Sequence, residues 1–194
     1  LASRMPGAER EVLPTPYPVD LPGWTEAAAL ADRRGVFIGT GEWSLPFRRH
    51  REAVGLAVRL AERFPETPVT VVNRDGFSGA VRTFAATRGR VRPIPPMAYG
   101  DYLRTMAAHR VVIQRDEGGV PGQVAGDSLL AGLPCLGGGG MVDRLAYPHL
   151  PGAGASPEEV FECAARLLSD DGYWEETVRA ARENAIEKIS FAAF

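Results

Sequence analysis

The chain has only two cysteines in 194 residues, Cys135 and Cys163. That is too few for a disulfide framework or a cysteine-rich zinc site, and both lie inside apolar patterns. They are expected as buried, reduced thiols in a cytoplasmic protein. The three histidines, His50, His109 and His149, show no ligand spacing, so no metal site is expected. No apolar run approaches the ~20 residues of a membrane-spanning helix. The N-terminus is polar and rich in proline, unlike a signal peptide, and the first residue is Leu1 rather than Met, so a piece of a longer or processed protein is expected. A net charge of -2 leaves no excess of positive charge for nucleic acid. A G-x-S-x-G elbow, a P-loop and a paired-cysteine motif are all missing.

Apolar residues make up 45% of the chain, ample for one full core. Residues 1–22 hold Pro6, Pro14, Pro16, Pro18 and Pro22, a density that forbids a helix and favours an extended segment or a tail. Beyond it, short apolar runs alternate with amphipathic stretches. Strands are expected at Val36-Phe37-Ile38, at 69–72, at 91–94 as an edge, at 110–113 and at Cys135-Leu136. Helices are expected over 46–64, 77–87, 99–108, 122–131 and from Pro157 to about Leu168. A further helix, capped by Asp171, should end near Lys188. Ser156-Pro157-Glu158-Glu159 reads as a capping box with proline at the first helical position. Such alternation predicts an α/β fold, a single doubly wound parallel sheet in a three-layer α/β/α sandwich. Residues 23–190 would form the domain and 191–194 a short tail.

The most informative stretch runs from Gln114 to Gly140: an apolar strand, an acidic glycine-rich loop, and a short helix carrying Asp127. Strand, glycine-rich loop and helix N-terminus together can hold an anion on backbone N–H groups, and an acid further along can accept from ribose hydroxyls. The structural alternatives are a tight turn, and for Asp127 a cap-like or Gln123 hydrogen bond. Ligands in open α/β sheets bind at the carboxyl ends of strands, so the loops 39–47, 115–122 and 137–144 should converge on one edge. Arg48, Arg49 and Arg51 follow Pro46 at the expected start of the first helix. Arginine is unfavourable there by dipole alone, an objection that a bound anion would remove; Arg51 reads as solvated. The run from Gly137 to Gly140 is either a phosphate loop or a turn. Trp43 is either a stacking surface or a packing residue; Trp24 and Trp174 read as packing, His109 as structural, and His50 as a surface residue or one facing phosphates.

Gly126-Asp127-Ser128-Leu129-Leu130-Ala131-Gly132-Leu133-Pro134 resembles the acid-containing signature in the donor half of GT-B-type glycosyltransferases of the group 1, glycogen-synthase-like retaining family. Glu117-Gly118-Gly119-Val120-Pro121 resembles that family's glycine-rich acidic loop, and the likeness extends over roughly residues 35–190. Three departures stand out. Asp127 replaces the family's usual Glu, Glu117 and Asp127 lie further apart than the family's two acids, and Gly39-Thr40-Gly41 lacks an arginine after its first glycine.

The resemblance implies a Rossmann-like C-terminal domain, one half of a GT-B fold, binding a nucleotide-diphospho-sugar. It implies Glu117 as the catalytic acid facing the transferred sugar, with Asp116 as an alternative. It implies donor binding by Gly39, Gly41, Arg48, Arg49, Gly118, Gly119 and Asp127. Arg48 and Arg49 would hold the diphosphate and Asp127 the ribose, with no metal and no other cofactor. Residues 1–22 resemble the interdomain connection, and the acceptor would be held by a separate N-terminal domain. The alternatives are a non-catalytic Rossmann-like module for protein contacts, and a domain related to nucleotide-sugar epimerases.

Overall fold

In a computed structural model, which describes residues 16–20, 29–39, 42–73, 87–118 and 121–193, the apolar runs become five strands. They are β1 (Val36–Ile38), β2 (Val69–Val72), β3 (Val91–Ile94), β4 (Val111–Ile113) and β5 (Cys135–Leu136). All pairings are parallel and the order is β3-β2-β1-β4-β5. Val36 stands at the centre, in register with Val69 on one side and Val111 on the other. Every residue of β1, β2 and β4 is buried, as parallel strands covered on both faces must be.

Six α-helices cover the sheet among the described residues: α1 (His50–Arg63), α2 (Tyr99–Ala107), α3 (Gln123–Leu130), α4 (Met141–Ala146), α5 (Pro157–Ser169) and α6 (Asp171–Ile189). Helices α1 and α5 pack together, α1 against β1 and β2 and α5 against β4. Across the sheet α2, α3 and α4 follow one another in contact, and α6 lies against α3 and α4. This is the doubly wound α/β/α sandwich expected. From β1 the chain winds outward to β2 and β3, then crosses back to build β4 and β5 on the other side. At the carboxyl ends of β1 and β4 the connections part in opposite directions and leave a crevice.

Spacing explains the helices. In α1 the side chains of Ala53, Val54, Leu56, Ala57, Leu60 and Ala61 are buried. In α5 they are Val160, Phe161, Ala164, Ala165 and Leu167. The capping box is present: Glu159 N donates to Ser156 Oγ at 3.2 Å, and Ser156 N donates to Glu159 Oε2 at 2.7 Å. Arg33 is buried and spans the ends of two helices, donating to Ala107 O and Ala131 O at 3.0 Å each. Burial lowers its pKa to about 10, which leaves it charged at neutral pH and suited to helix C-terminal carbonyls. At the chain's other join, Tyr17 N donates to Ile189 O at 2.8 Å and Tyr17 bridges Ser190. A Cβ on Gly126 would lie 1.9 Å from the Tyr17 ring, so α3 can pass beneath that tyrosine only as glycine.

Several expectations need correction. The helix read over 46–64 is broken: Pro46–Arg48 form a single 3-10 turn, Arg49 takes a left-handed conformation at φ 48°, and α1 starts only at His50. The amide of Arg49 donates to Pro46 O, so the turn closes on itself before the helix begins. Asp170, not Asp171, caps α6, its carboxylate accepting from Tyr173 N at 2.9 Å. Cys163 is half-buried rather than buried, beside the Tyr173 hydroxyl, while Cys135 is fully buried; both are free thiols. His50 is buried against the Trp43 ring, not on the surface. Helix α4, only six residues long and preceded by glycines, was not anticipated. The helix read over 77–87 lies outside the described residues except for Thr87, which sits in a turn; Trp24 also lies outside them. Phe191–Ala193 form a single 3-10 turn.

Two substitutions test this accounting by urea unfolding. Ser156→Ala is expected to cost about 1 kcal/mol through the lost cap. Leu60→Ala, at a fully buried position, is expected to cost about 2–5 kcal/mol through lost contacts and a residual cavity.

Candidate functional site

A cleft of about 710 Å³ opens at the carboxyl ends of the strands. The three loops expected to converge do so: Gly39 and Glu42 come from the first, Asp116, Pro121 and Gly122 from the second, and Gly140 and Asp143 from the third. A fourth contribution was not foreseen. The segment after β3 supplies Pro96 and Met97, and α2 supplies Tyr99 and Tyr102.

The back wall depends on close approach. Gly122, at φ 93°, turns the chain into α3. A Cβ on Gly39 would come within 2.6 Å of Val124, so this glycine lets β1 and α3 meet. The N-terminal residues of α3, Gln123 and Val124, face the cleft, which places the positive end of that helix on it. The glycine run serves packing as well: a Cβ on Gly138 or Gly140 would strike the Asp143 carboxylate or Gly122.

Two acids lie deep in the cleft. Asp127, 3% exposed, accepts a hydrogen bond at 2.7 Å from the Tyr99 hydroxyl. Neither a cap-like bond nor Gln123 supplies that partner, and nothing in the spacing of Tyr99 had marked it. Burial raises the Asp127 carboxyl to about pKa 6, partly offset by the Tyr99 bond. Asp143 accepts from Gln114 Nε2 at 2.8 Å and from Gly140 N at 3.1 Å. Burial raises it also to about 6, against these hydrogen bonds.

At the mouth, the arginines meet acids of their own chain. The left-handed turn at Arg49 directs Arg48 and Arg49 toward the loop after β4, a loop held in place by Glu117 N donating to Phe47 O at 3.0 Å. Arg48 pairs with Asp116 and, at 3.1 Å, with Glu42. Arg49 pairs with Glu117 at 2.5 Å and with Glu52. Glu52 also accepts from the buried Arg115 at 2.7 Å, whose other nitrogens donate to Gly152 O and Ala155 O. Gly118 N donates to Asp116 Oδ1 at 2.7 Å, which orients that carboxylate.

Of the residues singled out from sequence, Gly39, Arg48 and Asp127 line the cleft, and so does Asp116. Arg49, Glu117 and Gly118 stand beside it; the Glu117 side chain is 51% exposed. Gly41 and Gly119 lie outside the described residues. Trp43 is a packing residue, its Nε1 donating to Asn73 Oδ1 at 3.2 Å. His109 is structural, its ring nitrogens bonded to Thr105 O and Thr70 Oγ1, and Trp174 donates to Arg110 O. Gln114 and Asp143 were missed because their partnership crosses 29 positions of sequence.

A glycine-lined cleft at the switch point of a doubly wound sheet, with a helix N-terminus and buried carboxylates beside it, defines a Rossmann-like domain. No family model matches the chain, and no curated protein matches it. Solved structures do. Sucrose-phosphate synthase from Thermosynechococcus elongatus aligns with a TM-score of 0.70 and 15% identity over 94% of this chain and 49% of that one. Anabaena Alr3699/HepE, solved with UDP and glucose, aligns at 0.66 and 15% identity over 84% and 46%. WaaG, a glycosyltransferase involved in lipopolysaccharide biosynthesis, aligns at 0.64 and 15% identity over 91% and 52%. The chain thus spans about half the length of these proteins. The likeness, at 15% identity, is one of fold, and it agrees with one Rossmann-like half of a GT-B fold. Among the described residues no helix is long and apolar enough to cross a membrane.

The buried acids give a pH prediction. A carboxyl at about 6 in the fold and 3.8 as a model group binds more protons folded than unfolded between those values, so its contribution to stability falls as pH rises through that window. A shift of this size corresponds to roughly 3 kcal/mol. Asp127→Asn should therefore gain stability relative to the parent as pH rises from about 4 to 7, read as the difference between urea unfolding free energies. A difference independent of pH would contradict the assignment.

Proposed function

We propose that the cleft binds a nucleotide-diphospho-sugar and that the chain is the donor-binding half of a glycosyltransferase, the acceptor being held by a separate N-terminal domain. The observation that carries this reading is the Asp127 carboxylate, buried at a cleft of about 710 Å³ that opens at the switch point beside the N-terminus of α3. A carboxylate there can accept ribose hydroxyls, while the helix N-terminus and Arg48 face the phosphates. Departure of the nucleoside diphosphate would develop negative charge, and preorganised arginines and helix amides are suited to stabilising it without a metal.

On this reading the ion pairs at the mouth exchange partners when the donor binds. An incoming diphosphate would compete with Asp116 and Glu117 for Arg48 and Arg49. Glu117, released from Arg49, would then be free to meet the transferred sugar. The same pairs favour a second reading: arginines already neutralised by their own chain suit a non-catalytic module kept for protein contacts.

Thermal unfolding with UDP, GDP, ADP and their sugar conjugates separates the two. A ligand that binds only the folded state raises the melting temperature once its concentration passes Kd, by about 2.7 kcal/mol of stabilisation at a hundredfold excess. We expect a rise with one nucleotide, lost in Asp127→Ala. No rise with any of them at millimolar concentration would favour the non-catalytic module.

A further inference from the structure

Asp is one methylene shorter than Glu, so a carboxylate at position 127 reaches less far into the cleft than the longer acid would. The Tyr99 hydroxyl meets Asp127 Oδ1 at 2.7 Å, and both residues line the cleft. Tyr99, the first residue of α2, is 46% exposed, and its ring stacks on the Tyr102 ring with centroids 6.3 Å apart and planes 16° apart. The Tyr99 phenol and the Asp127 carboxylate therefore meet side by side in the lining of the cleft, the ring stacked on Tyr102.

A phenol has one proton and two acceptor lone pairs. Because its proton goes to Asp127, the Tyr99 oxygen can act only as an acceptor toward anything entering the cleft. Donation to a carboxylate also polarises the phenol and makes its oxygen a better acceptor. Burial, then the bond to Asp127, push the Tyr99 phenol well above its usual range, so it remains protonated as this arrangement requires. The bond from Tyr99 uses one acceptor site on Asp127 Oδ1, and Oδ2 remains as a further acceptor of the carboxylate. The cleft thus presents two acceptors on adjoining residues, held together by a hydrogen bond of known direction. Two adjacent donors are the complementary pattern, and a vicinal diol supplies them.

Resting on the nucleotide-sugar reading, we infer that Tyr99 is a specificity-determining residue that shares recognition of the ribose 2′,3′-diol with Asp127: the carboxylate accepts from one hydroxyl and the Tyr99 oxygen from its neighbour. The two together do what a single longer acid would do alone. Tyr99 contributes by contact and by holding Asp127 in place.

The test compares the ribo, 2′-deoxy and 3′-deoxy forms of UDP, GDP and ADP in calorimetric titrations. Proteins are the parent chain, Tyr99→Phe, and Tyr99→Phe combined with Asp127→Glu. The parent should prefer a ribonucleotide to each deoxy form by about tenfold, the order expected for losing one hydrogen bond to a buried charged pair. Tyr99→Phe keeps the ring and its stacking, and should reduce the preference over one deoxy form to within about twofold of unity while leaving the other near its parent value. Adding Asp127→Glu should restore the lost preference, because the longer acid reaches both hydroxyls. Unchanged ratios in Tyr99→Phe, with ribonucleotide still bound, would overturn the role of Tyr99 alone. A lost preference that Asp127→Glu does not restore would overturn the shared recognition. Failure of the parent to bind any ribonucleotide would overturn the nucleotide-sugar reading and this inference with it.

Discussion

The parallel pairing of β1 with both β2 and β4 is the constraint on which everything else hangs. Val36 in register with Val69 and with Val111 means that the chain must leave the sheet centre twice, in opposite directions. Right-handed crossovers then send α1 to one face and α3 to the other. The loops that leave β1 and β4 cannot cover the gap between them, and the cleft is the result. At its back the wall is bare backbone where the elements approach too closely for side chains, as at Gly39 and Gly122. Its polar groups come from whatever the parting loops carry.

Within that frame, electrostatics are arranged as a chain of alternating charges rather than as a pool of positive charge. Glu42, Arg48 and Asp116 form one run. Glu117, Arg49, Glu52 and Arg115 form another, ending on the carbonyls of Gly152 and Ala155. Deeper in, the buried Asp127 and Asp143 have neutral hydrogen-bond donors instead of cations, so burial dominates both and their pKa values rise. The cleft thus passes from ion-paired at its mouth to carboxylates held by neutral hydrogen-bond donors at its floor.

Much of this was legible in the sequence, and what was not has a common cause. Period and run length fix local conformation, so β1, β2, β4 and the capping box of α5 could be read from adjacent residues. The convergence of three loops follows from topology, which follows from alternation. Partners distant in sequence leave no local trace. Tyr99 and Asp127 are separated by 28 positions, Arg48 and Asp116 by 68, and only the folded chain pairs them. The break at Arg49 was hidden because the helical period carried by Val54, Ala57, Ala61 and Phe64 does not mark where the helix begins. The reversal arises from the 3-10 turn closed at Pro46 and from acids on another loop that the turned arginines meet. Helix α4 was invisible for another reason: six residues are too few to establish a period.

The contact between Tyr17 and α3 has a mechanical meaning. Tyr17 is fastened to the end of α6 through Ile189 and Ser190, and its ring fills the space that a side chain at Gly126 would need. Gly126 immediately precedes Asp127 on the same helix. The segment entering the domain and the helix leaving it are therefore tied at one point, and that point bears directly on the helix that carries the buried acid.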